Sequence, residues 1–396
     1  MQSTALPTCT TPAYDVVIVG AGLIGAAVAL ALQGSNFSVL VLEARPAADI
    51  GTDARMLAMS YGSRLILERL GIWQQIEPVT PIESIHVSQR GGFGRTMLSV
   101  GDTDLPALGY VVPHARLQLA FRKALASSSA TLWTGAEVQD MQRNAHAVTI
   151  GCRIDNAPQS IAARLLIIAD GGASAALRGE HLVQSRQYEQ DAVVGLVQSS
   201  LPHGRRAFER FTPDGPIALL PFEERYALVW TTTPAEADRL LTLAPATFLE
   251  QLQRHFGDRA GRFTSIEARA RFPLTLRYAW NPVSSRTVML GNAAQALHPI
   301  AGQGFNLGMR DAWELSETLL AHGTSDPGRD ACLNRYRNRR RPDRLRGIAL
   351  THSLVKIFSN DSGLLRAGRG AALSLLDLAP PAKRAFMQRM IFGPSR

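Results

Sequence analysis

Three glycines and one carboxylate, at fixed spacing, are the first residues of this 396-residue chain whose types suggest chemistry. In GAGLIG, Gly20 permits a tight turn and Gly22 lets the backbone approach a pyrophosphate. Gly25 allows a helix to pack closely on the preceding strand, and Leu23 and Ile24 between the glycines are cofactor-binding candidates with them. Phosphate oxygens then lie at the positive end of that helix. Glu43 follows Gly25 by 18 residues, where a carboxylate binds both hydroxyls of an adenosine ribose. An acid there favours an unphosphorylated ribose, as in FAD or NAD. Arg45 stands either beside the adenosine or in a surface ion pair. The motif alone occurs in many unrelated enzymes, so the cofactor's identity is open at this point.

These residues need a strand, a helix and a second strand to hold them. Tyr14 to Val19 is a β-branched run suited to a buried parallel strand, Gly22 to Leu32 suits a helix, and Phe37 to Leu42 returns as a strand, with Gly34 between. From Ile82 to Val100 the pattern alternates about Gly91 and Gly92, which predicts an antiparallel hairpin outside the parallel sheet. Arg116 to Leu125 reads as a helix, and Arg164 to Ala169 as a strand leading into Asp170 and two glycines. From Val193 to Thr232, β-rich stretches separated by Pro and Gly predict a second antiparallel region, assigned to substrate binding. Pro245 to Phe256 reads as a helix and Thr287 to Leu290 as a strand that delivers a second glycine-bearing segment, GNAAQALHPIAGQGFNLGMRD, from Gly291 to Asp311. After Arg341 and Pro342 the chain reads as helices separated at Gly363, Gly368 and Pro380-Pro381.

The composition excludes several classes. The one long apolar run, Val16 to Leu32, is interrupted by three glycines and lacks a basic flank, so neither a membrane span nor a signal peptide is expected. Cys9, Cys152 and Cys332 are far apart and odd in number, which gives neither a disulfide framework nor a metal cluster and fits a reducing cytoplasm. No metal site is expected. The net charge of +9 is concentrated: between Arg329 and Arg346 eight arginines face only Asp330 and Asp343. Such a segment suits phospholipid head groups or an acidic partner, or is a solvated helix with local ion pairs. No aromatic platform accompanies it, so nucleic acid is not expected.

Taken together, GAGLIG, DAR at Asp53 to Arg55, RLQL at Arg116 to Leu119, ADG ending at Gly171 and HPIAGQGFNLGMRD at His298 to Asp311 resemble the group A flavoprotein aromatic hydroxylases. Within them the chain is most similar to the ubiquinone-biosynthesis hydroxylases. Gly291-Asn292 stands where many members have Gly-Asp, and His298-Pro299 where many have Asn-Pro. Both departures, with AFERFTPDGPIALLPF and LLDLAPPAKR, resemble the branch that hydroxylates 2-polyprenyl-6-methoxyphenol. The resemblance spans nearly the whole chain. It implies an α/β fold of the para-hydroxybenzoate hydroxylase kind: a Rossmann-like FAD-binding domain, an interrupting antiparallel substrate domain and C-terminal helices. The FAD-binding domain is then discontinuous, at residues 14–80, 101–180 and 281–345. Residues 81–100 and 181–280 form the substrate domain and 346–396 a C-terminal helical region. The first 13 residues, rich in Thr and Pro, are expected to be disordered.

The resemblance also assigns residues. Asn292 would bond a phosphate oxygen or a ribityl hydroxyl, and Arg55 and Arg116 suit the ribityl and phosphate parts through their guanidinium forks. Asp170 is a cofactor-side contact or an ordinary turn aspartate. Gly302 and Gly304 would let backbone amides approach the flavin's pyrimidine edge, where a helix N-terminus stabilises the charge of the reduced ring. Pro299 and Phe305 would shape this loop, and Asn306 would satisfy a flavin carbonyl. His298 is the one titratable side chain placed near the reacting ring, either to orient a phenol and take its proton or as a structural loop residue.

The activity so implied is monooxygenation with FAD, O2, and NAD(P)H or a partner reductase as electron donor. A C4a-hydroperoxyflavin would transfer its distal oxygen to the ring of a polyprenyl phenol. The prenyl tail would need an apolar channel, for which Leu219, Leu220, Pro221 and Phe222 are candidate walls. A lipid-borne substrate further suggests contact with the inner membrane face or with other biosynthetic proteins through the basic segment and the clusters Leu354, Ile357, Phe358 and Leu364, Leu365; the alternative is that these segments pack onto the catalytic core. Alternatives are a sister hydroxylase acting at another ring carbon, a flavin-dependent prenyl reductase, and a non-catalytic FAD-containing assembly subunit. Oligomeric state is not readable.

Overall fold

The computed structural model describes residues 12–46, 53–174, 177, 181–298, 302–323, 325–358 and 363–393, with backbone alone for 187–188, 354–358 and 363–366. Residues 1–11, Pro299 and the side chains of Leu354, Ile357, Phe358, Leu364 and Leu365 lie outside that description.

Tyr14–Val19 is a central strand because its apolar run can be buried on both faces; Val16, Val17 and Ile18 are fully enclosed. It pairs in parallel with Val39–Glu43 on one side and Ala157–Ile168 on the other. Thr131–Thr134 and Thr287–Met289 extend the parallel set outward. Helix α1 (Leu23–Ala31) follows the first strand across the glycine turn. Ser60 caps α2 (Tyr61–Arg69) with its side chain, and α3 (His114–Ala126) packs beside α1.

The second sheet runs in the order Gln295–Ala296, Phe263–Ala279, Val183–Ser199, Arg225–Thr232, Gly215–Phe222, Arg206–Thr212, Ser84–Gln89, Arg95–Ser99. The expected hairpin is present as its last two strands. It joins the sheet through a parallel pairing of Ser84–Gln89 with Arg206–Thr212, so this domain is not wholly antiparallel as the sequence suggested. One face packs on α4 (Pro234–Thr242) and α5 (Pro245–Phe256) around Trp230, Phe248 and Phe256. The 17-residue strand Phe263–Ala279 escapes sequence reading because its residues are largely half-exposed and show little apolar alternation. A small sheet of Met56–Ser60, Gly109–Pro113 and Thr80–Ile82 contacts the strand Gly215–Phe222 of the second sheet.

Helix α6 (Gln303–Ala321) starts at Gly302 and lies against α1. The break expected at Pro342 is not there: α7 (Asp330–Phe358) runs through it, and the proposed boundary at residue 346 falls inside this helix. Proline removes one helical hydrogen bond. Here the helix is pinned on both sides of it by a buried ion network. Arg340 donates to Asp311 at 2.7 Å and to Asp343 at 2.6 Å, Arg310 donates to Asp343 at 2.8 Å, and Arg344 donates to Gln295 at 2.8 Å. The basic segment is therefore neither a uniform surface patch nor a purely solvated helix. Arg340 and Arg344 are interior, Arg339 pairs with Glu314, and Arg335, Arg341 and Arg346 remain exposed. Gly368 also fails as a break, since it lies within α8 (Gly363–Leu378); α9 (Pro380–Phe392) does begin at the proline pair.

Candidate active site

The two glycine segments meet. Ile24, inside GAGLIG, packs into a notch formed by Gly291 and Gly308: a Cβ on either glycine would stand 3.0 Å from the Ile24 side chain. Gly20 adopts φ +101°, and a Cβ there would be 2.6 Å from the Ala169 carbonyl, so only glycine lets the turn touch the strand end that presents Asp170. A Cβ on Gly25 would strike the Gly20 carbonyl at 2.0 Å, which is the close helix-on-strand packing read from the sequence. Gly22 and Gly304 differ: a Cβ on either meets nothing within 4 Å, and both residues face one cavity.

That cavity has a volume of about 1920 Å³ and runs from the glycine turns to the apolar face of the second sheet. Its cofactor end is lined by Gly20, Gly22, Leu23, Ile24, Glu43, Arg45, Arg55, Asp170, Asn292, Gly302, Gly304, Phe305 and Asn306. The N-terminal turns of α1 and α6 both border it, and neither has a side-chain cap, so the positive ends of both helices face the cavity. An elongated dinucleotide with a diphosphate and a ring that gains negative charge on reduction fits this arrangement.

Several side chains are engaged differently from the sequence reading. Glu43 is buried; its carboxylate accepts from the Ala21 amide at 2.8 Å and from Arg45, fixing the turn as well as lining the cavity. Asp170 accepts from the amides of Gly172 and Ser174, both at 2.7 Å, so it closes a turn while lining the cavity. Asn306, expected to satisfy a flavin carbonyl, has its side chain engaged within the protein. Its Oδ1 accepts from the Ser60 amide and the Ser63 hydroxyl, both at 2.8 Å, and its Nδ2 donates to Ala58 and Gly302 carbonyls, so it ties the start of α6 to the small sheet.

Arg55 pairs with Asp53 and lies over the Phe272 ring at 5.4 Å, bridging the two domains. Burial pushes the Asp53 carboxyl up, but hydrogen bonds from Arg55 and the charges of His114 and Arg55 outweigh it and hold the group below its ordinary value. Arg116 is not brought to the cavity. Its guanidinium donates to the Pro78 carbonyl at 2.5 Å, because position 116 lies about 200° around α3 from His114. His114 and Gln118, one turn apart, line the cavity instead.

His298 is also displaced from its expected place. The side chain is wholly buried and does not line the cavity, and burial lowers its pKa to about 4, so it is held neutral in the interior. Two features were missed. The C-terminal helices form a wall through Leu373, Leu376, Met387, Met390 and Ile391, which no local motif announces. Glu209 faces the cavity from the second sheet, and alternation in AFERF, with Ala207 and Phe211 on the same face, was the signal that could have found it. Of the expected apolar walls, Leu220 lines the cavity; Leu219 points to the α4–α5 core. No group of three or more potential metal ligands occurs among the described residues.

Comparison with known proteins agrees with this geometry. Residues 13–346 match the family described as FAD binding domain. The chain is 33% identical over 383 residues to the ubiquinone hydroxylase UbiL of Rhodospirillum rubrum, covering 94% of this chain and 88% of that protein. It is 32% identical over 387 residues to the 3-demethoxyubiquinol 3-hydroxylase of Escherichia coli, covering 95% and 97%. The p-nitrophenol 4-monooxygenase PnpA of Pseudomonas putida shares the fold, with a TM-score of 0.77 at 18% identity over 96% of this chain and 98% of that one. The chain belongs to this FAD-binding family, as a flavin-dependent monooxygenase with the para-hydroxybenzoate hydroxylase fold.

Proposed function

We propose that the protein hydroxylates the aromatic ring of a polyprenyl phenol in ubiquinone biosynthesis, with 2-polyprenyl-6-methoxyphenol as the substrate. The observation that carries this reading is the continuity of the cavity: Gly22 and Gly304 open into the same space as Ile82, Val194, Leu220, Leu373 and Met390. The ubiquinone hydroxylases among its relatives support the pathway, and the His298-Pro299 and Asn292 departures support the branch.

FAD, when bound, supplies the redox chemistry that delivers an oxygen atom from O2 to the ring. The chain's own residues do the rest. The α1 turn and Glu43 would hold the adenosine diphosphate part, and the α6 amides would stabilise the charge gained on reduction. The apolar wall excludes water and holds the prenyl tail; burying that tail adds binding at roughly 25 cal/mol per Å² without activating the ring. The position of the wall also suggests how a lipid-borne substrate enters. On α8, Leu373 and Leu376 face the cavity while Leu375 and Leu378 are exposed, so this helix is suited to rest on a membrane surface. No described helix is long and apolar enough to cross a membrane.

Mass spectrometry of quinone precursors in cells lacking the protein tests the substrate. Accumulation of 2-polyprenyl-6-methoxyphenol supports the reading; accumulation of a precursor already hydroxylated at that step refutes it.

A further inference from the structure

We propose that Glu209 is the residue that accepts the proton of the substrate's aromatic hydroxyl. The inference rests on the reading of a phenol as substrate, and it assigns a role the sequence had offered to His298.

Glu209 lies in the strand Arg206–Thr212, where its Cα partners are Val87 on one neighbouring strand and Ala218 on the other. Both partners line the cavity, as do Thr96 and Val229 one strand further out, so the carboxyl projects from the middle of an apolar floor. Among the described residues, the buried acids Asp191, Asp311 and Glu43 are held by partners: Asp191 by Arg271, Asp311 by Arg340, Glu43 by Arg45 and the Ala21 amide. The Glu209 side chain has no ion pair or hydrogen bond among the described residues, and its partial exposure is toward the cavity. An acid left without a partner in an apolar wall weakens the fold unless a ligand completes it.

Burial alone raises its pKa, to about 7, so the group is partly ionised at neutral pH and is a stronger base than an exposed carboxylate. The other titratable groups around it are accounted for. On its own strand Arg210 turns to the opposite face, toward the His255 carbonyl and Ser88. His86 on the adjacent strand packs against Phe208, ring centroids 5.7 Å apart and tilted by 53°, also on that opposite face. From α8, Arg369 lines the cavity and Asp377 is bonded to Thr96 and the Met97 amide. His114 lies at the cofactor end, 3.4 Å from Asp53. In the step proposed, the phenolic O–H bond breaks as a new O–H bond forms to a Glu209 carboxylate oxygen. No electrons are exchanged, and the negative charge passes into the ring, enriching the carbon that receives oxygen.

The test uses FAD-loaded protein and 2-prenyl-6-methoxyphenol, with its O-methyl ether as control. In the wild type, single-turnover hydroxylation should fall as pH drops through about 7. In Glu209→Gln it should be slower by roughly 10²- to 10⁴-fold and lose that pH dependence, with flavin content unchanged. A binding readout separates chemistry from architecture: wild type should bind the phenol at least about tenfold more tightly than the ether at pH 8, and Glu209→Leu should bind the two alike. A Gln variant with the wild-type rate and pH profile, or a Leu variant that keeps the preference, overturns the assignment while leaving the phenol reading intact. A wild type that hydroxylates no phenol overturns both.

Discussion

Ile24 and Gly308 are in contact across 284 residues of sequence (308 − 24), with the isoleucine side chain filling the space where a Cβ at position 308 would stand, 3.0 Å from Cδ1. This contact seats α6 on α1, and so places the two helix N-termini on one cavity. Gly308→Val should force the helices apart, lowering stability by about 1–3 kcal/mol and weakening FAD retention. Thermal unfolding and the flavin-to-protein absorbance ratio measure both. An unchanged Tm with full flavin would show that the notch does not set the helix spacing.

Gly304→Val separates architecture from chemistry. The added side chain projects into open cavity from a helical position, so the fold should be retained while bound FAD or its reactivity is lost. Circular dichroism and flavin absorbance distinguish the two effects. Normal flavin content with normal turnover would remove this loop from the active site.

Asn306→Ala should be more damaging than a surface substitution of the same size. It strands the Ser60 amide, the Ser63 hydroxyl and two carbonyls that the amide group now satisfies, each worth about 1–3 kcal/mol where no water replaces it. Denaturant unfolding should show a loss of at least about 2 kcal/mol. A loss below about 0.5 kcal/mol would mean the four bonds are readily replaced.

His298 gives a pH signature. Its folded pKa, about 4, lies below the ordinary value of 6.5, so below pH 6.5 the unfolded chain binds a proton that the native protein refuses. Its effect is absent above that pH, and stability falls as pH drops from about 6.5 to about 4, by roughly 3 kcal/mol at most. His298→Gln should flatten that part of the stability profile measured by urea titration. An identical slope in the variant would contradict a buried neutral histidine.

The legible part of this molecule was local. The Gly20 turn, Glu43, the α5 boundaries and the Ser84–Ser99 hairpin follow from spacing and turn chemistry that act within about 20 residues. What was not legible depended on partners brought from afar. Pro342 continues a helix because Asp311 and Arg310 of α6 anchor Arg340 and Asp343 around it. Arg116 turns from the cavity because the Ile76–Pro78 loop supplies carbonyls, and Asn306 is engaged by Ser60 and Ser63. In each case residue type announced a hydrogen-bonding capacity, and the tertiary fold decided what would receive it.

The central claim is that one cavity brings FAD and a prenylated phenol together for oxygen transfer. The most direct measurement is mass spectrometry of the product formed by the purified FAD-loaded protein from 2-polyprenyl-6-methoxyphenol under isotopically labelled O2 with an electron donor. The account expects one labelled oxygen atom on the aromatic ring and no product without O2. An unlabelled product, or turnover under anaerobic conditions, would contradict it.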